Sequence, residues 1–159
     1  MSWFPLPVDG LLRVALVSEL TVINARGEPS THPLIPLWDG ERVYMTSSVL
    51  FSKKLEHIKR NGKVSLAVSD PVATGGLATR CTVQGDARAV EDDPHETWMA
   101  IMPLWRAKEP AIDFFLSKRF ALPLFFERSL IEITPRRVLW WEDGDPAAQP
   151  QVATAPAPS

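Results

Sequence analysis

The stretch TSSVLFSKKLEHIKRNGKVSL, Thr46–Leu66, decides the fold because the hydrophobic period changes inside it. Arg42–Thr46 reads as a strand. Phe51, Leu55 and Ile58 then fall on one face at helical spacing, while Lys53, Glu56, Lys59 and Arg60 point elsewhere. Asn61-Gly62 ends this short helix, and Val64–Val68 resumes as a strand. The helix begins with an unusual charge. A helix N-terminus carries roughly half a positive charge, so a cation there costs about 0.3–1 kcal/mol, yet this one opens on Ser52, Lys53 and Lys54. Free backbone N–H groups, the hydroxyls of Thr46, Ser47, Ser48 and Ser52, and two ammonium groups together describe a phosphate site. A dianion would turn the penalty into charge-assisted hydrogen bonds. The chain has no Gly-rich phosphate loop, which excludes a nucleoside-triphosphate or dinucleotide fold.

Upstream, Leu12–Leu20 and Thr21–Asn24 read as strand, and Ala25–Glu28 as a tight turn. His32–Leu37 is a further strand, and Trp38-Asp39-Gly40 turns the chain back into Arg42–Thr46. Downstream, 70–76 is a loop and Ala78–Val90 a long strand. Asp93 and Pro94 open a helix as cap and first-turn residue. Two helical pieces, broken before Pro110, run from Glu96 to Lys118. Leu124–Thr134 and Arg137–Trp141 read as a closing hairpin around Thr134–Arg137. The expected fold is mainly β (α+β): an antiparallel split β-barrel with a short helix after the fourth strand and a helical pair before the last hairpin. Residues 1–143 form its single domain, and the Pro/Ala-rich residues 144–159 a disordered tail.

Apolar residues make up 45% and charged residues 23% of the 159, an ordinary globular balance. A net charge of −2 gathers no nucleic acid from a distance, so any anion is bound locally. Neither a membrane span nor a signal peptide is visible, and a cytoplasmic protein is expected. Cys81 stands alone, and no Cys or His pair has metal-ligand spacing. His57 reads as solvated, His95 as part of a helix cap, and His32 as structural or facing a ligand. None belongs to a hydrolase triad. Trp98, Trp105, Phe114, Phe115, Phe120, Phe125 and Phe126 read as core and dimer contacts, with a substrate-pocket wall as the alternative.

Thr46-Ser47-Ser48, Ser52-Lys53-Lys54 and the run Leu55–Leu66 resemble the phosphate-binding segment of the pyridoxamine 5′-phosphate oxidase-like, FMN-binding split-barrel superfamily. The resemblance continues through Thr82–Val90, similar to its strand with a central Gly-x-Ala, and Ile133–Trp141, similar to its closing strands. It implies a homodimer that holds a flavin between its subunits and acts on a small-molecule substrate. Lys53 and Lys54 would hold the cofactor phosphate, and Thr46, Ser47 and Ser52 would add hydroxyl or backbone bonds. Arg80 stands where the oxidases place a Gln near the flavin ring, and Trp140 or Trp141 would cover the cofactor across the interface. The implied function is a flavin-dependent oxidoreductase with FMN. The alternatives are the deazaflavin coenzyme F-420 or a non-catalytic module that binds a flavin or another anionic ligand. Pro33–Pro36 and Trp140–Gly144 replace the basic residues that true oxidases use for their phosphorylated substrate, which argues against pyridoxamine phosphate.

Overall fold

Val8, Leu11, Leu12 and Ala15 recur at helical spacing and are all buried. In the computed structural model they lie on or just beyond helix α1 (Leu6–Val14), which Pro5 precedes and which has Pro7 in its first turn. The expected strand over Leu12–Leu20 is therefore helix in its first third and strand only from Ser18. Its Val and Leu content suits either state, and only the spacing tells them apart. The structure describes residues 3–48, 52–70, 74–117 and 128–157, without the side chains of Ser48 and Phe115. Phe51, Phe120, Phe125 and Phe126 of the sequence reading, with the rest of 124–127 in the expected closing strand, lie outside the described residues.

Strands β1 (Ser18–Ile23) and β2 (Pro29–Leu34) form an antiparallel pair. At their turn, Asn24 Oδ1 accepts from the N–H groups of Arg26 and Glu28, and Gly27 takes a φ of 80°. A second turn at Asp39-Gly40 joins β3 (Leu37–Trp38) to β4 (Val43–Ser48). Then come α2 (Lys53–Arg60), β5 (Lys63–Val68), β6 (Arg80–Val90), α3 (Pro94–Lys108) and α4 (Ile112–Leu116). As expected, Asp93 caps α3 by accepting from Glu96 N, with Pro94 in its first turn. The last strands are β7 (Arg128–Trp141) and β8 (Gln151–Thr154).

All eight strands belong to one antiparallel sheet in the order β2-β1-β5-β6-β7-β4-β3, with β8 added to β7. The sheet curls into a half-barrel, as the sequence pattern predicts. Its concave side encloses one core, formed by Leu20, Val22, Met45, Leu66, Val83 and Ile133 with Leu55 and Ile58 of α2. A second core lies between the outer face and the α3–α4 pair, around Leu37, Trp98, Ile101, Met102, Trp105 and Leu130. Each fully buried Leu or Ile contributes on the order of 1.5–3 kcal/mol, so both faces of β4 and β7 are pinned by packing. Trp98 and Trp105 meet edge to face at 4.7 Å as core residues, whereas Phe114 is exposed. Cys81 is buried and unpaired.

Two expectations near the C-terminus fail for identifiable reasons. Thr134–Arg137 is no hairpin turn: β7 runs straight through it and pairs with β6 along its length. The register shifts at Gln84/Gly85, where Pro135 lies opposite Gly85 and Arg137 opposite Gln84, so Arg136 is the extra residue of a β-bulge. The bulge is where a strand tolerates a proline. Gly85 is required there, because a Cβ on it would stand 2.4 Å from Thr134 O. The Pro/Ala-rich end, expected to be disordered, supplies β8. Gln151–Thr154 pair with Arg137–Trp140 and complete the edge of β7 that β4 covers only over Arg128–Ile133. Composition misled because a four-residue edge strand needs backbone partners more than apolar side chains.

Candidate anion-binding site

Thr46 and Ser47 end β4, where it pairs with the start of β7. Alternation sends their side chains to opposite faces. Thr46 lies on the outer face with Arg128, whose Nη1 donates to Thr46 Oγ1 at 3.1 Å. Ser47 lies on the inner side, and its hydroxyl is 2.7 Å from that of Ser52. That contact ties the strand to the first residue before α2. Ser52 makes no side-chain cap, so its hydroxyl does not occupy the first-turn N–H groups of the helix.

The two opening lysines of α2 separate in space. Lys53 is exposed and Lys54 half-buried. Burial, and then the nearby Arg128 charge, lower the Lys54 pKa. Burial lowers that of Arg128 as well. His32, on β2, is shifted down by burial first and then by the charges of Lys54 and His57. Lys54, Arg128, His32 and His57 thus form one basic cluster drawn from α2, β7 and β2. His57 is half-buried and not solvated as the helical pattern suggests, and its Nδ1 is buried without a hydrogen bond. His32 Nε2 lies 3.3 Å from Ser30 Oγ. A carboxylate borders the cluster at one point: Glu91 accepts from Ser129 Oγ at 3.4 Å and is engaged by Lys59. Neighbouring positive charges that lower the pKa values of Lys54 and His32 are an arrangement an anion relieves.

Of the residues the sequence singles out, Ser47 and Ser52 meet through their hydroxyls, Thr46 lies on the opposite face of β4 with Arg128, Lys54 lies within electrostatic reach of Arg128, and Lys53 is exposed. The sequence reading missed Arg128 and His57, and held His32 of β2 open as structural or facing a ligand. Arg128 gives no local signal, since 82 positions separate it from Thr46. Arg80 and Trp140 are elsewhere. Arg80 pairs with Trp141, and Cys81 with Trp140, at the far end of the β6–β7 ladder. Ten residues of strand, about 30 Å at ~3.3 Å per residue, separate Trp140 from Leu130 beside Thr46. Trp140 packs against the inner core with its Nε1 buried and unbonded. Among the described residues, no group of three or more His, Cys, Asp or Glu could hold a metal ion, and no helix is long and apolar enough to cross a membrane.

An antiparallel half-barrel of eight strands, with α2 following the fourth, defines the class as a split barrel. A family model described as pyridoxamine 5′-phosphate oxidase matches residues 13–142, and the chain belongs to that family. No curated protein matches it in sequence. Among solved structures, it is similar to an F-420 reductase (21% identity, TM-score 0.58, covering 82% of this chain and 94% of that one). It is also similar to a conserved hypothetical protein from Mycobacterium tuberculosis (18% identity, TM-score 0.66, covering 94% and 91%). A third is a heme binding protein from Mycobacterium smegmatis (18% identity, TM-score 0.61, covering 95% and 59%). At these identities the likeness is one of fold.

Proposed function

We propose that the protein is a flavin-dependent oxidoreductase that holds FMN between the two subunits of a homodimer and acts on a small molecule. The observation that carries this reading is the half-buried Lys54 within electrostatic reach of Arg128, whose guanidinium donates to Thr46. Two cations, the Thr46 hydroxyl and an uncapped helix start match a phosphomonoester in charge and in hydrogen-bond capacity. When bound, the flavin supplies hydride transfer. The chain's own residues anchor its phosphate and keep water from it. Because Trp140 and Arg80 lie at the far end of the β6–β7 ladder from the cluster, contacts to the flavin ring come from the second subunit. This reading puts the protein in the cytoplasm, with neither nucleic acid nor membrane as partner.

A second reading, reduction with coenzyme F-420, draws support from the likeness to the F-420 reductase. Its coenzyme also carries a phosphate, which the same cluster would hold. Titration of the purified protein with FMN, riboflavin, F-420 and hemin, followed by absorbance and fluorescence, separates the possibilities. We expect FMN to bind at least tenfold more tightly than riboflavin, which lacks the phosphate. Equal binding of the two would remove the phosphate site, preference for F-420 would select the second reading, and binding of hemin alone would overturn both.

A further inference from the structure

A cavity of about 420 Å³ lies between α3 and the outer face of the sheet. Its walls are apolar apart from Thr97 of α3. Ala100, Ile101 and Leu104 face it from one stripe of α3, and Val90 and Leu130 from β6 and β7. The tryptophans of α3 are not among them: Trp98 and Trp105 turn into the neighbouring core. Pro103 also lines the cavity and has no N–H to donate to Met99 O, which makes a bend in α3 at this point the expected result.

The floor holds four polar side chains, and each is already engaged within the protein. Arg88 forks onto Glu132 through Nε and Nη2 at 2.8 and 3.1 Å, and Arg42 reaches the same carboxylate at 3.2 Å. Tyr44 donates its hydroxyl to Asp39 Oδ2 at 3.0 Å, and Asp39 Oδ1 accepts from the N–H groups of Glu41 and Arg42. The Tyr44 hydroxyl, pushed up to about 12 by burial and by Asp39, stays protonated in that bond. Glu132 is 8% exposed. The two carboxylates and the two guanidiniums cancel in charge and are paired with one another, so a charged ligand would compete with bonds already made to the buried Glu132 carboxylate. A neutral one leaves the network intact and gains apolar contact.

We infer that this cavity is a binding site for a neutral, predominantly apolar or aromatic small molecule. The volume is that of an ordinary small-ligand pocket. The site also adjoins the basic cluster: Leu130 is the cross-strand neighbour of Thr46, and Tyr44 is the neighbour of Glu132, one step along the same face. On the oxidoreductase reading, such a molecule is the substrate class. The cavity itself does not depend on that reading.

The neutral dye N-phenyl-1-naphthylamine, whose emission strengthens and shifts to the blue in apolar surroundings, tests the inference on the full chain. We expect saturable binding that saturating inorganic phosphate does not displace, and at least tenfold weaker binding of the sulfonated analogue in the presence of that phosphate. Ala100 is exposed at the cavity wall, so Ala100→Trp fills the space without touching the core. It should weaken the dye at least tenfold while leaving the melting temperature and FMN titration unchanged. Absence of saturable binding, equal binding by Ala100→Trp, or tighter binding of the sulfonated analogue would each overturn it. Loss of FMN binding in Lys54→Ala concerns the other site, so the two readings fail separately.

Discussion

Arg128 Nη1 donates to Thr46 Oγ1 at 3.1 Å, joining the first residue of β7 to the end of β4. The bond orients a half-buried guanidinium beside Lys54, so the two should act together on a bound phosphate. Lys54→Ala and Arg128→Ala are each expected to weaken FMN by about 1.5–3 kcal/mol, or roughly ten- to a hundredfold. Lys53→Ala, at an exposed position, should change the affinity less than about threefold. Fluorescence titration of the three variants checks the ranking, and an equal loss at Lys53 would refute the placement of the site.

His32 makes anion binding depend on pH. In the free protein, burial together with Lys54 and His57 depresses its pKa below the ordinary 6.5. An unfolded chain therefore takes up a proton first as pH falls. The stability linked to His32 is complete above about 6.5 and is lost between that value and its lower folded pKa. A bound anion acts in the opposite direction by favouring the imidazolium. Sulfate, whose charge is fixed in this range, should bind more tightly as pH falls from 7.5 to 5.5. His32→Gln should flatten that slope in calorimetric titrations.

Lys108 clamps three segments. Its Nζ donates to Leu12 O at 2.6 Å and to Pro36 O, holding the end of α3 against α1 and the β2–β3 connection. Burial lowers its pKa to about 8. Between that value and about 10.5 the unfolded lysine keeps a proton that the folded one has lost, so stability rises with pH across this window. The rise is on the order of 3 kcal/mol at most. Urea unfolding at pH 7.5, 9 and 10 should show it in the native chain and not in Lys108→Met.

Two glycines should respond oppositely to alanine. In Gly85→Ala the new Cβ would meet Thr134 O at 2.4 Å and Ile133 Cγ2 at 3.2 Å, so the bulge must open, and a loss of at least ~2 kcal/mol is expected. Gly10 lies within α1 with nothing within 4 Å of its would-be Cβ. Gly10→Ala should stabilise by about 0.5–1 kcal/mol. Denaturant midpoints of both variants measure the pair.

The half-barrel was legible because its elements announce themselves locally. Asp39-Gly40 and Ala25–Glu28 are short-range turns, Asp93-Pro94 a helix start, and the change of period at Thr46–Leu66 needs no distant contact. What stayed hidden depends on distant partners. The bulge at Arg136 exists because Gly85 lies opposite Pro135, and Gln151–Thr154 become a strand because β7 has an uncovered edge. The proposed phosphate site was half visible for the same reason. Thr46, Ser47, Ser52 and Lys54 are close in sequence, whereas Arg128 and His32 reach them only after β7 and β2 are in place.

The length of β7 has a genetic consequence. One strand carries Arg128 at its first residue and Trp140 near its last, so in the proposed dimer each flavin draws its phosphate anchor from one chain and its aromatic cover from the other. A chain with Lys54→Ala and a chain with Trp140→Ala would each be defective alone. When they are co-expressed and pair, one of the two sites in each mixed dimer regains both halves, so affinity-purified heterodimers should bind FMN at half the native stoichiometry and near-native affinity. Such rescue in trans would turn a property of one long strand into a count of flavins per dimer.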